Sequence, residues 1–371
     1  MRVYLGRDPV TGHPRQLSRT VHAGPATKRG QPPKAVRLAA AELETEAAAG
    51  KLGGTNASVS VLLDHYFEQL DRKQLSPTTL SAYRRYARLH ITPAIGAKPV
   101  KDVTAWDLDR LYAGLTGKSP STIRQCHAIL SGAFGQAVKW GWCPTNVAKM
   151  ASPPTVRQAK VVAPTVEEVR QLVAAAEERN PTMGALIMLA ALTGARRGEL
   201  CALRWSDVDL DAGTVRIARS LIDLPGRVEE KSTKTHAERV LALGDAGVAL
   251  LKLHRTTIDE RARIGEATIA PDAYIFSDNL NCATPIRPDS VTGFFTRLRD
   301  DLKMPHVHFH SLRHFTATQM AARGDISVRT LAGRLGHADP SVSLKVYSAF
   351  FPASDAEAAG HLGEILSPKN G

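Results

Sequence analysis

The sequence predicts a mainly helical protein with a small antiparallel β-sheet, an α+β chain in more than one domain. Three observations carry this. The chain has 371 residues, more than one ordinary core organises, so two or three domains are expected. Long stretches place apolar side chains at helical spacing, and several open on Ser-Pro or on a Thr followed three residues later by a carboxylate. Alternation at the period of a strand is confined to the N-terminus and to residues 213–243.

In chain order, residues 1–22 alternate around Asp-Pro and Thr-Gly, which predicts a hairpin. The basic run TKRGQPPK follows, then a helical stretch AVRLAAAELETEAAAGK and a Gly-rich boundary. Residues 58–150 read as helices: SVSVLLDHYFEQLDRK; SPTTLSAYRRYARLHI, with Ser76 as N-cap and Pro77 in the first turn; TAWDLDRLYAGL, with Thr104 and Asp107 as a capping box; and SPSTIRQCHAILSGAFGQAVKWGW from Ser119. The Pro-rich, basic stretch before Thr165 reads as a linker. From Thr165 a Thr165/Glu168 capping box opens one helix, and the apolar PTMGALIMLAALTG predicts a buried one. GTVRIARS, RVEEKST and HAERVLAL are expected to form a three-stranded antiparallel sheet, and the rest reads as helices. No internal repeat is evident. The expected domains are 1–55, a small hairpin-and-helix module; 58–150, a helical bundle; 151–164, a linker; and 165–371, a larger domain with a C-terminal tail.

The net charge is +12, which points to a polyanionic partner, most often nucleic acid. The excess is segregated. Residues 1–55 carry nine Lys/Arg against four Asp/Glu, residues 56–160 fourteen against six, and the remainder twenty-five against twenty-six. The first 160 residues therefore supply the electrostatic grip, and the rest is free for chemistry. Cys126, Cys143, Cys201 and Cys282 show no CxxC spacing, which suggests a reducing, cytoplasmic setting without disulfides. The longest apolar run, around residues 183–194, is too short to span a bilayer, so no membrane partner is expected.

Two stretches imitate metal sites. DVDLDAG starts like a calcium loop at Asp207, Asp209 and Asp211, but Ala212 replaces the turn glycine and Ala218 stands where a bidentate glutamate is needed. HVHFHSLRH offers His310 and His314 one helical turn apart, yet Arg313 among them would repel a cation. Neither metal nor cofactor is expected. No phosphate loop, GxSxG or GxGxxG occurs.

What remains suits phosphate. TGARRGEL sets Arg196 and Arg197 in a Gly-bounded turn after the most apolar helix. HSLR places His310 and Arg313 on one helical face, LGH supplies His337, and KSTKTHAERV supplies Lys231 and Lys234. A guanidinium fork matches two phosphate oxygens. Two forks and two imidazoles around Tyr347 would stabilise a pentavalent phosphate without a metal.

TGARRGEL, KTHAERV, HSLRH and LGHADPSVSLKVY, in that order and closing on a His-to-Tyr spacing of ten, resemble the tyrosine recombinases of the phage-integrase family. The resemblance is close over the C-terminal domain. Residues 58–150 look like that family's core-site-binding (SAM-like) domain, and 1–55 like the arm-site-binding module of lambda-type integrases. GRDPVTG and SRTV resemble the N-termini of integrases from actinobacterial phages and mobile elements.

The resemblance implies catalytic roles for Arg196, Lys234, His310, Arg313, His337 and Tyr347, with Glu199 bracing Arg196. Lys231 rivals Lys234 because hairpin lengths vary, and RVLAL departs from the family's commoner VPL, with Ala242 where proline is frequent. Tyr347 would be the nucleophile and form a 3′-phosphotyrosyl link. Implied partners are double-stranded DNA at core and arm attachment sites, three further protomers in a tetramer, a host DNA-bending protein and an excisionase. The segment DAEAAGHLGEIL would dock on a neighbouring protomer or pack in cis. The expected function is site-specific integration and excision of a phage or mobile element; a chromosome-dimer resolvase and a non-catalytic DNA-binding relative are the alternatives.

Overall fold

Local capping chemistry sets the helix starts. The structure, a computed structural model, describes residues 2–8, 10–22, 32–48, 55–156, 162–232, 238–323 and 326–336. The chain divides into two compact units, residues 1–159 and 160–371.

In the first unit, β1 (Arg2–Arg7) and β2 (Pro14–Ser18) form an antiparallel hairpin, and α1 (Lys34–Ala48) follows. The bundle comprises α2 (Val59–Arg72), α3 (Pro77–Tyr86), α4 (Thr92–Ile95), α5 (Ala105–Gly114) and α6 (Pro120–Lys139). The Ser58 and Ser119 hydroxyls accept from the backbone N–H three residues on, and Thr104 and Asp107 form the expected capping box. Ser76 is the N-cap position of α3 with Pro77 next, but its hydroxyl bonds the Thr78 hydroxyl at 2.9 Å and caps no backbone amide. The helix expected through Ile91 changes character: Ala87–Ile91 is a π-helical turn. Pro93 explains it, since proline cannot donate to the carbonyl four residues back and its ring crowds that carbonyl, which a wider turn relieves. Leu62, Phe67, Leu80, Ile91, Leu108, Ile129 and Phe134 form the bundle core.

The hairpin is latched to this bundle by one carboxylate. Asp8 Oδ1 accepts from the Val10 and Thr11 amides at 2.9 and 3.0 Å and from the Thr55 hydroxyl at 2.8 Å. Its Oδ2 accepts from the Asn56 amide at 2.9 Å. Burial acts to raise the Asp8 pKa, but the Thr11, Asn56 and Val10 amides and the Thr55 hydroxyl hold it far below the usual carboxylate range.

The second unit opens with α7 (Val166–Arg179), started by the expected Thr165/Glu168 box, and α8 (Pro181–Thr193), buried on nearly every side. A left-handed Gly194 ends α8 at φ 66°, and α9 (Arg197–Cys201) starts three residues later. The strands are β3 (Val208–Asp209), β4 (Thr214–Ile217), β5 (Arg219–Leu224), β6 (Arg227–Ser232) and β7 (Arg239–Ala242). They differ from the expected single sheet. GTVRIARS divides at Ala218: β4 pairs with β3 and β7, while β5 pairs, among the described residues, with β6 alone. RVEEKST therefore belongs to a separate two-stranded ribbon, and HAERVLAL returns past it to β4. Then come α10 (Gly244–Ile264), α11 (Pro288–Asp301), α12 (Ser311–Ala322) and α13 (Val328–Leu335). Their core joins Leu186, Ile187, Leu200, Ile275, Phe276, Phe295 and Leu312.

The helices expected from DPSVSLKVYSAF and DAEAAGHLGEIL lie outside the described residues, and so does residue 234. Among the described residues, no helix is long and apolar enough to cross a membrane.

Candidate active site

The α8–α9 turn fixes the first arginine. Gly194 gives the positive φ that ends α8, and any Cβ there would meet the Leu335 side chain at 2.6 Å, so glycine also lets α13 approach. Arg196 is the N-cap of α9. Its amide donates to Glu199 Oε2 at 2.8 Å, its Nη1 to Glu199 Oε1 at 2.8 Å, and its Nη2 to the Gly336 carbonyl at 3.0 Å. The guanidinium is thus held at the end of a rigid turn and stays one-third exposed, at 33 %.

The second arginine comes from α12. Arg313 is buried and its Nη1 donates to the Gly194 carbonyl at 2.8 Å. Among the described residues its buried Nη2 has no hydrogen-bond partner. A buried guanidinium donor without an acceptor is costly unless an anion meets it. Burial, then the nearby Arg196 and Arg239 charges, push the Arg313 pKa down to about 10, only partly countered by Glu199.

His310 is the N-cap of α12 and lines one cleft with Arg196 and Arg313. Its ring meets His314 edge-on at 5.0 Å. Partial loss of hydration, then His314, Arg313 and Arg196, lower its pKa from the usual imidazole value. The shift favours the neutral ring, which can accept a proton. The cleft has a volume of about 440 Å³ and is lined by Arg196, Arg197, Ser220, Thr292, His308, His310 and Arg313. Within that lining Arg197 is engaged by Asp289 at 3.4 Å and by the Thr292 hydroxyl.

Glu199 lies beneath, 2 % exposed. Burial acts to raise its pKa, but the Arg239 guanidinium and the Arg196 amide and guanidinium hold it below the usual range. Arg239 is the residue the sequence reading passed over. It opens β7 with an 8 % exposed side chain and donates to both Glu199 oxygens, at 2.7 and 3.2 Å. Its Nε donates to the Arg334 carbonyl at 3.0 Å. The available signal was an arginine at the head of a short alternating strand, five residues past Lys234.

The structure thus brings Arg196, Glu199, His310 and Arg313 together. Lys234, His337 and Tyr347 lie outside the described residues. Gly336, the residue before His337, ends α13 at φ 66° with its carbonyl on Arg196. Lys231 lies on β6, partly buried, paired with Ser220. The two metal look-alikes have other work. Asp207 is buried and pairs with Arg216 at 3.3 Å and with Arg219. His306 bonds Glu168 at 2.9 Å, and His308 bonds Arg299. Among the described residues, no group of three or more His, Cys, Asp or Glu could hold a metal ion.

The family model described as "Phage integrase family" matches residues 164–352, more than half of the chain. The chain belongs to the phage integrase family. A second family model, the phage-integrase N-terminal SAM-like domain, matches residues 59–115 of this integrase. The integrase is 24 % identical to a XerC-like tyrosine recombinase of Caldanaerobacter subterraneus over 328 residues, 82 % of each chain. It is also 24 % identical to the integrase of Mycobacterium phage FRAT1, across 83 % of this chain and 90 % of that one. Among solved structures, the Tn1549 transposon integrase in complex with transposon right-end DNA is similar, with a TM-score of 0.66 and 18 % identity over 83 % of this chain and 99 % of that one. A lambda integrase tetramer bound to a Holliday junction gives a TM-score of 0.57 and 20 % identity, over 92 % and 90 % of the two chains. These structural likenesses bear on the fold. The family makes this protein a tyrosine recombinase, a site-specific enzyme that cuts and rejoins DNA.

Proposed function

We propose that this recombinase integrates and excises a phage or mobile element through a 3′-phosphotyrosyl intermediate. The observation that carries the mechanism is the pair Arg196 and Arg313 on one cleft, with the buried Nη2 of Arg313 lacking a partner among the described residues. Their forks take the two non-bridging oxygens of the scissile phosphate. The Tyr347 hydroxyl attacks phosphorus, the bond to the 5′-oxygen breaks, and the phosphate becomes esterified to tyrosine. The phenol proton, with an ordinary pKa of about 10, passes to neutral His310. Lys234 gives a proton to the departing 5′-oxygen, with Lys231 as its rival. His337 donates to the phosphate. The ester keeps the bond energy, so a 5′-hydroxyl from the partner strand reverses the step without ATP.

In this reading residues 58–150 grip the core site, 151–164 link, 165–371 carry the chemistry and tail, and 1–55 grip arm sites. The basic excess of residues 1–160 supports the first and last of these roles. The protein works as a tetramer on DNA in the cytoplasm, with a host DNA-bending protein and an excisionase as accessory partners. The XerC-like relative keeps a resolvase in view, and the basic module before residue 58 favours an integrase.

Covalent trapping tests the mechanism. Wild type and Tyr347→Phe are mixed with nicked DNA from the flanks of the protein's own gene and run under denaturing conditions. Wild type is expected to give an adduct with a free 5′-hydroxyl end. Tyr347→Phe should give none while its gel-shift affinity is unchanged. An adduct in both would place the nucleophile elsewhere.

A further inference from the structure

We propose that Arg239 is a positioning residue for the cleavage step: it neutralises Glu199, so that the charge of Arg196 is left for the scissile phosphate. The proposal rests on Arg196 and Arg313 being the phosphate's partners.

The argument is a count of charge inside a buried cluster. Glu199 is 2 % exposed, so its carboxylate draws little help from water and depends on cations. Two guanidiniums reach it. Arg239 spans both oxygens, at 2.7 and 3.2 Å. Arg196 gives one Nη1 bond at 2.8 Å. With Arg239 present, Arg196, Glu199 and Arg239 sum to one positive charge, and Arg313 adds a second. Without Arg239, Glu199 and Arg196 cancel, and among the described residues of this cluster Arg313 alone remains positive. A phosphodiester carries one negative charge and gains a second as the pentavalent state forms. The stabilisation that matters is the part that grows in that state. Arg239 thus supplies a charge the reaction needs from a buried place behind Glu199.

Arg239 also joins the elements whose ends meet at the site. It heads β7, directly after the segment that carries Lys234. Its Nε holds the Arg334 carbonyl at 3.0 Å, near the end of α13. Two residues on, Gly336 gives its carbonyl to Arg196, and a Cβ on Gly336 would meet Arg239 Nη1 at 2.8 Å. Arg334 continues the tie through its own side chain, to the Leu192 and Ala242 carbonyls at 2.9 and 3.2 Å. Docking of β7 therefore sets both the charge on Arg196 and the end of the helix that leads to His337.

The test compares Arg239→Met, Arg239→Lys and the double variant Arg239→Met/Glu199→Gln with wild type in the full chain. Single-turnover cleavage of nicked DNA is the readout, with gel-shift affinity and thermal unfolding alongside. Arg239→Met is expected to slow cleavage by about 100-fold, the range seen when one transition-state donor is lost. DNA affinity should stay within a few-fold of wild type. Arg239→Lys keeps the charge and should stay within about tenfold. Removing the Glu199 charge in the double variant should recover at least about tenfold over Arg239→Met, which a residue serving only as a staple would not do. A double variant no faster than Arg239→Met, or Arg239→Met at the wild-type rate, overturns the proposal. If Arg239→Met fails to fold, a loss in folded Arg239→Lys beyond about tenfold does the same.

A second readout is independent of Tyr347. Sulfate is titrated against the His310 ring signals of the DNA-free protein. Arg239→Met should weaken sulfate binding, and the double variant should restore it. Unchanged sulfate affinity in Arg239→Met would refute the charge argument even where the nucleophile proves to be another residue. A normal sulfate pattern without a Tyr347 adduct would instead refute the proposed nucleophile alone.

Discussion

Asp8 in the first unit of this recombinase and Glu199 in the second are both carboxylates at 2 % exposure, and their partners are of opposite kinds. Asp8 is held by backbone amides and a hydroxyl, all neutral. Glu199 is held by two guanidiniums and one amide. Neutral donors fix geometry: they hold Val10 and Thr11 to Asp8 and join it to residues 55 and 56, and the local charge stays negative. Guanidiniums do something else. They leave a surplus of positive charge whose size depends on how many of them the carboxylate occupies. One buried acid is a latch, and the other sets the charge of a reaction cleft.

Substitution should separate the two. Glu199→Ala has the larger expected effect. It leaves Arg196 and Arg239 close together with no anion between them, and breaking a buried ion pair on one side costs about 3–5 kcal/mol. Differential scanning calorimetry should show that loss in the transition of the second unit. Equal stability would mean that the two arginines find other acceptors, and the contrast with Asp8 would collapse.

Asp8→Ala comes next. It removes hydrogen bonds to a charged acceptor, each worth about 1.5–3 kcal/mol, but several of the freed amides can turn to water. The expected cost is about 2 kcal/mol, local to the hairpin and its seat. Hydrogen exchange read by mass spectrometry should show faster exchange in peptides spanning residues 10–12 and 55–57, with single-turnover cleavage of a core-site substrate unchanged. Slowed cleavage would show that the latch also serves chemistry.

How much of this was legible follows from the range of the forces. Helix starts are local, so Ser58, Thr104, Ser119 and Thr165 cap the helices that the sequence predicts. The π-helical turn at 87–91 was not expected, although Pro93 that causes it is in plain sight, because Ser76 and the apolar spacing fit an uninterrupted helix. Strand partners are set at long range. Nothing within GTVRIARS tells that Thr214–Ile217 will pair with Arg239–Ala242 while Arg219–Leu224 folds onto Arg227–Ser232. At the site, Arg196 stands out in a Gly-bounded turn and His310 and Arg313 by a shared helical face, and the family resemblance is what joins them into one expected group. Arg239 was not readable, because its role exists only once β7 lies beside Glu199.

The smallest effect is the one that pH exposes. A carboxylate with a lowered pKa stabilises the fold above its ordinary value, and that contribution is lost as pH falls through the folded pKa. For Asp8, with an ordinary value of 3.8, the loss begins only in strong acid. Histidines with lowered pKa act earlier. The folded protein keeps them neutral, the unfolded chain takes up protons as pH falls through 6.5, and stability drops from there. The second unit holds His254, His310 and His314 of this kind, each shifted first by burial; among the described residues the first unit holds His127. Lowering pH from about 7.5 to about 5.5, across the ordinary imidazole range, should therefore weaken exchange protection in peptides of the second unit more than in those of the first. Bound sulfate should reduce the difference, because an anion beside His310 favours its protonated form. Equal loss in both units, or no response to sulfate, would mean that neither burial nor the charges around His310 favour its neutral form in the folded protein.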